Sequence, residues 1–414
     1  MRILLVNYRY FVSGGPERYM FNIKRILEEN GHQVFPFSIH SNMNVETEYE
    51  KYFVNPIGGM NSVYFDEVKK TPKNILKLLS RSIYSIEVKK AIKKEIKELK
   101  PDIVYIIHFV NKLSPSVITG AKELGIPVVL RLSDYFLLCP RFDFLRDGKV
   151  CEECLEKGYQ SCLKYKCVKN SFFASSIRTF SMCFHRFIKI YDKVDAFISP
   201  SNFLKDKLIS SGFANEKIHV IPTFTLGNSD SCDITCGDYG LYFGRIVREK
   251  GIETAIKAYE KLPDHKLVIM GDDNTGEAIQ LKKYIEEKGL INIHFIGKKN
   301  GDELEKVISN SRFVMIPSIW YDNLPNTALE SFFYSKPVLA SRIGSLPELV
   351  HDGENGFLFE AGNHDDLMQK IKILDDDELV LRLGKNSKKL LKQGFSENMH
   401  YQNLISLFQR YVKS

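Results

Sequence analysis

Two stretches far apart in the chain repeat one pattern: a short apolar run, a glycine-bearing loop and an amphipathic helix. In the first, Arg2-Ile3-Leu4-Leu5-Val6-Asn7 leads into Ser13-Gly14-Gly15-Pro16-Glu17-Arg18, and 19–30 reads as a helix closed by Gly31. In the second, the run 239–243 leads into Gly244-Arg245-Ile246-Val247-Arg248-Glu249-Lys250-Gly251, and 252–262 reads as a helix. An apolar run at 34–38 follows the first helix. A strand that reaches the next strand through a helix belongs to a parallel sheet. Two such units constrain the chain to α/β architecture with two Rossmann-like, doubly wound domains. Its 414 residues are enough for two separate cores.

The remaining strands are expected at 102–107, 128–132, 195–200 and 218–222, then at 266–270, 293–297, 313–316 and 338–341. Residues 223–238, with Gly, Asn, Ser and Asp, read as a linker. The expected domains are therefore 1–222 and 239–396. Helical patterns at 365–374, 378–392 and 397–413 close the chain.

The stretch Pro317–Ala340, PSIWYDNLPNTALESFFYSKPVLA, carries the chemistry. Pro317 and Ser318 end a strand, and turn formers then start a helix expected over 328–335. Its first free N–H groups are expected at Asn323, Leu324, Asn326 and Thr327, with Pro325 between them. Free amides and the helix dipole make that start an anion site. Asp322 and Glu330 flank it, with seven residues between them. Carboxylates beside a phosphate site suit sugar or ribose hydroxyls, which donate to them.

This acid–seven–acid stretch resembles the signature of retaining family 4 glycosyltransferases, whose fold is GT-B. Relatives carry Glu where this chain has Asp322, one methylene shorter. The Gly244–Gly251 loop resembles the family's Gly-Arg…Glu-Lys-Gly motif, in which Arg and Lys grip the donor diphosphate. Arg245 offers a planar fork to phosphate oxygens and Lys250 a point charge. Gly14 and Gly15 resemble the family's first-domain glycine loop, although a simple turn would also explain a glycine pair. Relatives read His-Asp after the strand at 128–132; this chain reads Ser133-Asp134, and His108 ends the preceding strand.

The resemblance implies two domains facing a cleft, with the last helix, 397–414, crossing back to the first domain. It implies transfer of a sugar from a UDP- or GDP-sugar to a saccharide or lipid-linked acceptor, with retention, in surface polysaccharide synthesis. The implied roles are diphosphate stabilisation by Arg245 and Lys250, sugar contacts by Asp322, ribose contacts by Glu330 and orientation by Asp134. Gly244 with Asn323–Thr327 completes the donor side. No catalytic metal is expected, because Arg245, Lys250 and the helix start can carry the diphosphate charge.

Two features lie outside those motifs. Residues 69–100 interleave lysines, Lys69 and Lys70 among them, with apolar residues. They read either as a solvated face or as a patch for an anionic membrane surface. Among eight cysteines, Cys151-Glu-Glu-Cys154 has metal-ligand spacing, and Cys139 and Cys167 lie on either side. The region up to about residue 170 reads as irregular, and these four read either as ligands of a structural zinc, with Cys162 spare and nearby lysines favouring thiolate at Cys167, or as reduced thiols in a surface loop. No apolar run reaches the ~18 residues of a membrane span, and Met1–Val6 is short for a signal peptide, so a cytoplasmic or inner-membrane-peripheral protein is expected. Net charge is +7, a mild excess. A sugar-nucleotide epimerase or phosphorylase on the same plan stays open. So does a cysteine-cluster nucleic-acid-binding protein, although it leaves the phosphate loops unexplained.

Overall fold

Ile103-Val104-Tyr105-Ile106-Ile107 is buried along its whole length, as a strand covered on both faces must be. The same holds for the other central strands, and it dictates the layering. A computed structural model describes residues 1–59, 71–227, 229 and 234–412.

Among the described residues the first sheet contains β1 (Arg2–Asn7), β2 (Gln33–Phe37), β3 (Ile103–His108) and β4 (Val128–Arg131). A small antiparallel hairpin, β5 (Leu145–Arg146) with β6 (Lys149–Val150), follows, then β7 (Ala196–Ser199) and β8 (Ile218–Val220) return to the sheet. Its order is β2-β1-β3-β4-β7-β8, all parallel. The second sheet contains β9 (Tyr239–Phe243), β10 (Lys266–Met270), β11 (Ile293–Phe295), β12 (Phe313–Ile316), β13 (Val338–Ser341) and β14 (Gly356–Phe359). Its order, β11-β10-β9-β12-β13-β14, is also all parallel. Strand order reverses between β1 and β3 and between β9 and β12. Those are the points where parallel sheets open a crevice at their carboxyl ends. The α/β, GT-B-type expectation of two Rossmann-like sheets therefore holds.

The last helix, Glu397–Gln409, is started by Ser396, whose side chain accepts from the Met399 amide. Leu404, Leu407 and Phe408 are buried in the core of the first domain, with Ile3, Leu5 and Tyr105. Burial of each such side chain contributes about 1.5–3 kcal/mol. His400 fixes the helix at two points: its Nδ1 lies 2.7 Å from the Pro222 carbonyl and its Nε2 2.8 Å from the Tyr19 hydroxyl. The two chain crossings run side by side, with Thr225 paired to Ser396. Within the expected linker, residues 228 and 230–233 lie outside the described residues.

Several boundaries differ from expectation. The first helix is Gly15–Glu29, beginning at the glycine loop itself because Pro16 suits the first turn. The helix expected over 328–335 is Asn326–Phe333, with Pro325 at its cap. It stops early because Ser335 takes a left-handed conformation, φ 55°. The cysteine region, read as irregular, holds the β5–β6 hairpin and helices Glu153–Glu156 and Gln160–Lys164.

Candidate functional site

The second-domain loop is shaped by contact between strand ends. Gly251 has φ +68°, and a Cβ there would sit 1.8 Å from the Pro317 carbonyl oxygen. At Gly271 a Cβ would lie 2.2 Å from the Gly244 carbonyl oxygen. Glycine at both positions lets β9, β10 and β12 bring their ends together. Gly244, at φ +144°, turns the chain, and the Tyr242 hydroxyl holds the Arg245 carbonyl at 2.6 Å. The Arg245 side chain is exposed and has no partner among the described residues.

Lys250 is placed differently. Its Nζ is 2.6 Å from Asp322 Oδ1 and 5.5 Å from the centroid of the Trp320 ring. Asp322 is buried, its second oxygen accepts from the Ser318 hydroxyl, and its carbonyl accepts from Ser345 Oγ. In this state Asp322 is committed to Lys250 and Ser318 and does not face an open space, whereas the resemblance implies sugar contacts for it. Asn323 Nδ2 reaches the Leu132 carbonyl of the first domain at 3.3 Å, which brings the Asp322–Asn323 turn up to the end of β4.

Glu330 lines a cleft of about 630 Å³ between the domains. Gly15, Arg18 and Asn22 of the first helix form one wall; Asn326, Leu329 and Glu330 form the other. Burial raises the Glu330 carboxyl above its ordinary range, and Arg18 across the cleft opposes that shift. Among the described residues its carboxylate accepts no hydrogen bond. No side chain caps the helix Asn326–Phe333; the Ala328 amide donates to the Pro325 carbonyl, and among the described residues the Asn326 and Thr327 amides have no partner. A second helix start between the domains contrasts with it: Glu348 accepts from the amides of Asn202 and Phe203 and so fills the start of helix Asn202–Ser210. The open end is the one beside Glu330, and it suits an anion whose neighbouring groups donate to a carboxylate.

The glycine pair is not a tight turn. Gly14 is extended at φ −167°, and neither glycine has a positive φ. A Cβ on Gly15 would meet nothing within 4 Å. The pair leaves open space on the cleft wall, and Ser13 bonded to Glu17 stiffens the loop.

Asp134 and His108 meet at the ends of β4 and β3, with Nε2 3.5 Å from Oδ2. Burial raises the Asp134 carboxyl, and His108 pulls it down. The structure thus puts an imidazole beside Asp134 from the neighbouring strand. Sequence reading gave no role to Arg18 or Glu348. Only the position of Arg18, one turn past Gly15, could have signalled it.

The cysteines share one neighbourhood. Cys139 and Cys162 are buried. The Cys154 thiol is pushed up to about 12 by burial, then by Cys139, Cys162, Cys167 and Cys151. Cys167 is likewise pushed up to about 12, by burial and then by Cys162 and Cys139. The expected thiolate at Cys167 is therefore corrected: desolvation outweighs the exposed lysines. Cys162 is part of the cluster rather than spare. Among the described residues no three His, Cys, Asp or Glu are spaced to hold a metal ion.

In the lysine-rich segment, Lys89 and Lys93 both pair with Glu123, and Lys77 with Glu87. Lys69 and Lys70 lie outside the described residues. Among the described residues no helix is long and apolar enough to cross a membrane.

Comparison with known proteins agrees with the architecture. Residues 13–225, over half of the chain, match the model described as Glycosyltransferase Family 4, and residues 238–390 match Glycosyl transferases group 1. An uncharacterized 42.6 kDa protein in cps region of Klebsiella pneumoniae is 24% identical over 95% of this chain and 99% of its own. An uncharacterized glycosyltransferase, MJ1178, of Methanocaldococcus jannaschii is 34% identical over 38% of this chain. That match spans 44% of the relative, less than half its length. Anabaena Alr3699/HepE, solved in complex with UDP, superposes with a TM-score of 0.67 at 16% identity, covering 99% of this chain and 100% of that one.

Proposed function

Because the chain belongs to glycosyltransferase family 4, we propose that it moves a sugar from a nucleotide-diphosphate sugar to a saccharide or lipid-linked acceptor, with retention, in surface polysaccharide synthesis. The observation that carries this reading is the uncapped helix start at Asn326, beside an unbonded Glu330 and facing Gly15 and Arg18 across the cleft. A nucleoside diphosphate matches both halves of it: oxygens for the amides and ribose hydroxyls for the carboxylate. The UDP bound by the Anabaena protein supports a UDP-sugar donor, with a GDP-sugar as the other choice. The relative in the cps region supports the polysaccharide setting.

In this reading Arg245 and Lys250 stabilise the leaving diphosphate. Lys250 holds its charge in place through Asp322, and on donor binding Asp322 turns to sugar hydroxyls. Asp134, with His108, orients the acceptor. Residues 1–222 with the last helix form the acceptor side, and 239–396 the donor side. No metal is needed for the diphosphate, and nucleic acid is not a partner. Release of nucleoside diphosphate from UDP- and GDP-sugars, with and without a lipid extract, tests the proposal. Release stimulated by the extract supports it; no turnover of any nucleotide sugar contradicts it.

The cysteine cluster is proposed to hold a structural zinc through Cys139, Cys151, Cys154 and Cys167, with Cys162 as an alternative ligand. The sulfurs would have to draw together and lose protons on binding. Elemental analysis of untagged protein should give about one zinc per chain, lost in Cys151→Ser. Metal-free protein with full activity would remove the site.

A further inference from the structure

Helix Phe172–Phe187 carries a face that its own domain leaves uncovered. Phe172, Phe173, Phe180 and Phe187 are 60%, 65%, 57% and 84% exposed. Phe180 stacks on Phe184 with ring centroids 6.2 Å apart. Phe173, Ile177, Phe180, Phe184 and Phe187 recur at spacings of three and four, so they form one stripe along the helix. Scattered exposed apolar residues are ordinary, but a contiguous aromatic stripe marks a contact surface.

The opposite face is anchored. Ser175, Arg178, Thr179, Met182 and His185 are buried. Arg178 donates to the carbonyls of Phe136 and Pro140, and His185 Nε2 lies 2.6 Å from the Ile83 carbonyl. The stripe therefore cannot turn inward. The neighbouring helix Pro72–Ile83 packs beside it and adds Leu76, 67% exposed, with Lys73 and Lys77.

Charge decides the occupant. Lys164, Lys166 and Lys169 precede the aromatic helix and Arg186 and Lys189 end it; all five are exposed. Neither helix contains an acid. A second copy of the chain, docked by the same face, would set these cations against each other. An anionic lipid surface satisfies both the rings and the cations. We propose that helix Phe172–Phe187, with Leu76 beside it, is the element by which the protein lies on an anionic membrane surface. The rings enter the boundary between headgroups and acyl chains, and the lysines and Arg186 meet the headgroups. Arg178 ties the helix to the segment just after Asp134, so a lipid-linked acceptor in that surface starts close to the acceptor side of the first sheet. This last link rests on the proposed transfer; the lipid contact does not.

Sedimentation of the full chain with phosphatidylglycerol–phosphatidylcholine vesicles, against phosphatidylcholine alone, tests the proposal. The parent should bind the anionic vesicles and leave them at high salt. Phe173→Ser/Phe180→Ser/Phe187→Ser and Lys164→Gln/Lys166→Gln/Lys189→Gln should each lower partitioning by roughly a hundredfold. Thermal unfolding and UDP or GDP binding should stay unchanged in both, and they report separately on the fold and the donor site. Absent binding by the parent, equal binding to neutral vesicles or parental binding by the Phe variant would each overturn the assignment. A dimer in sedimentation velocity that the Phe variant dissolves would overturn it in favour of a second copy.

Discussion

At Gly15 an added Cβ would meet nothing within 4 Å, whereas at Gly251 it would sit 1.8 Å from a carbonyl oxygen. Both glycines stand in a strand–loop–helix unit, one per domain, and in sequence they look equivalent. Gly251 is there so that two strand ends and a helix can touch, and its φ of +68° adds a conformational need. Gly15 answers no such need; its small size leaves room in the cleft. Glycine in such a loop can thus serve either packing or ligand access, and the space around its missing Cβ tells which.

The largest effect should therefore come at Gly251. Gly251→Val should cost about 4 kcal/mol or more, through a backbone clash and a strained φ, and is read as loss of the folding transition. Gly15→Val should leave stability within about 0.5 kcal/mol while lowering turnover. A folded Gly251→Val or an unfolded Gly15→Val would erase the distinction.

The two cations of the Gly244–Gly251 loop divide along the same line. Lys250→Ala strands a buried Asp322, so it should cost about 3 kcal/mol of stability as well as about 10²–10³-fold in kcat. Arg245→Ala removes an exposed cation that has no partner among the described residues. It should lower kcat while the denaturation midpoint stays put. Chemical denaturation alongside steady-state kinetics separates the two.

A smaller effect concerns the helix that joins the halves. Burial, with Arg131 nearby, holds the His400 imidazole down to about 3, although the Pro222 carbonyl opposes this. The unfolded histidine titrates near 6.5, so the unfolded chain takes the proton first as pH falls. This stability is complete above 6.5 and drains as pH drops toward about 3. By pH 5 the loss should be about 2 kcal/mol. In His400→Gln that part of the pH dependence should vanish. Unchanged pH dependence would mean His400 does not couple the last helix to Tyr19 and Pro222.

Much of this was legible from one-dimensional pattern. Apolar runs such as Ile103–Ile107 mark strands buried on both faces, and the Gly244–Gly251 loop and the Asp322–Glu330 spacing mark the proposed donor side. What was hidden depends on contacts between distant residues. Arg18 is one arginine on a helix until Glu330 appears opposite. Asp322 is a turn former until Lys250 reaches it. His400 meets Tyr19 across almost the whole chain. The Cys167 thiol was misjudged because lysines near in sequence point to water while its neighbours in space are other sulfurs.

The most direct test of the donor site is calorimetric titration of the parent and of Glu330→Gln with UDP and GDP. Glutamine keeps the shape and removes the carboxylate proposed to take ribose hydroxyls, so binding of the preferred nucleotide should weaken about tenfold. Removing a half-buried carboxylate whose ionisation burial opposes should leave neutral-pH stability equal or slightly higher. Glu330→Gln that binds nucleotide as tightly as the parent, or a parent that binds neither UDP nor GDP, would contradict the assignment of this cleft.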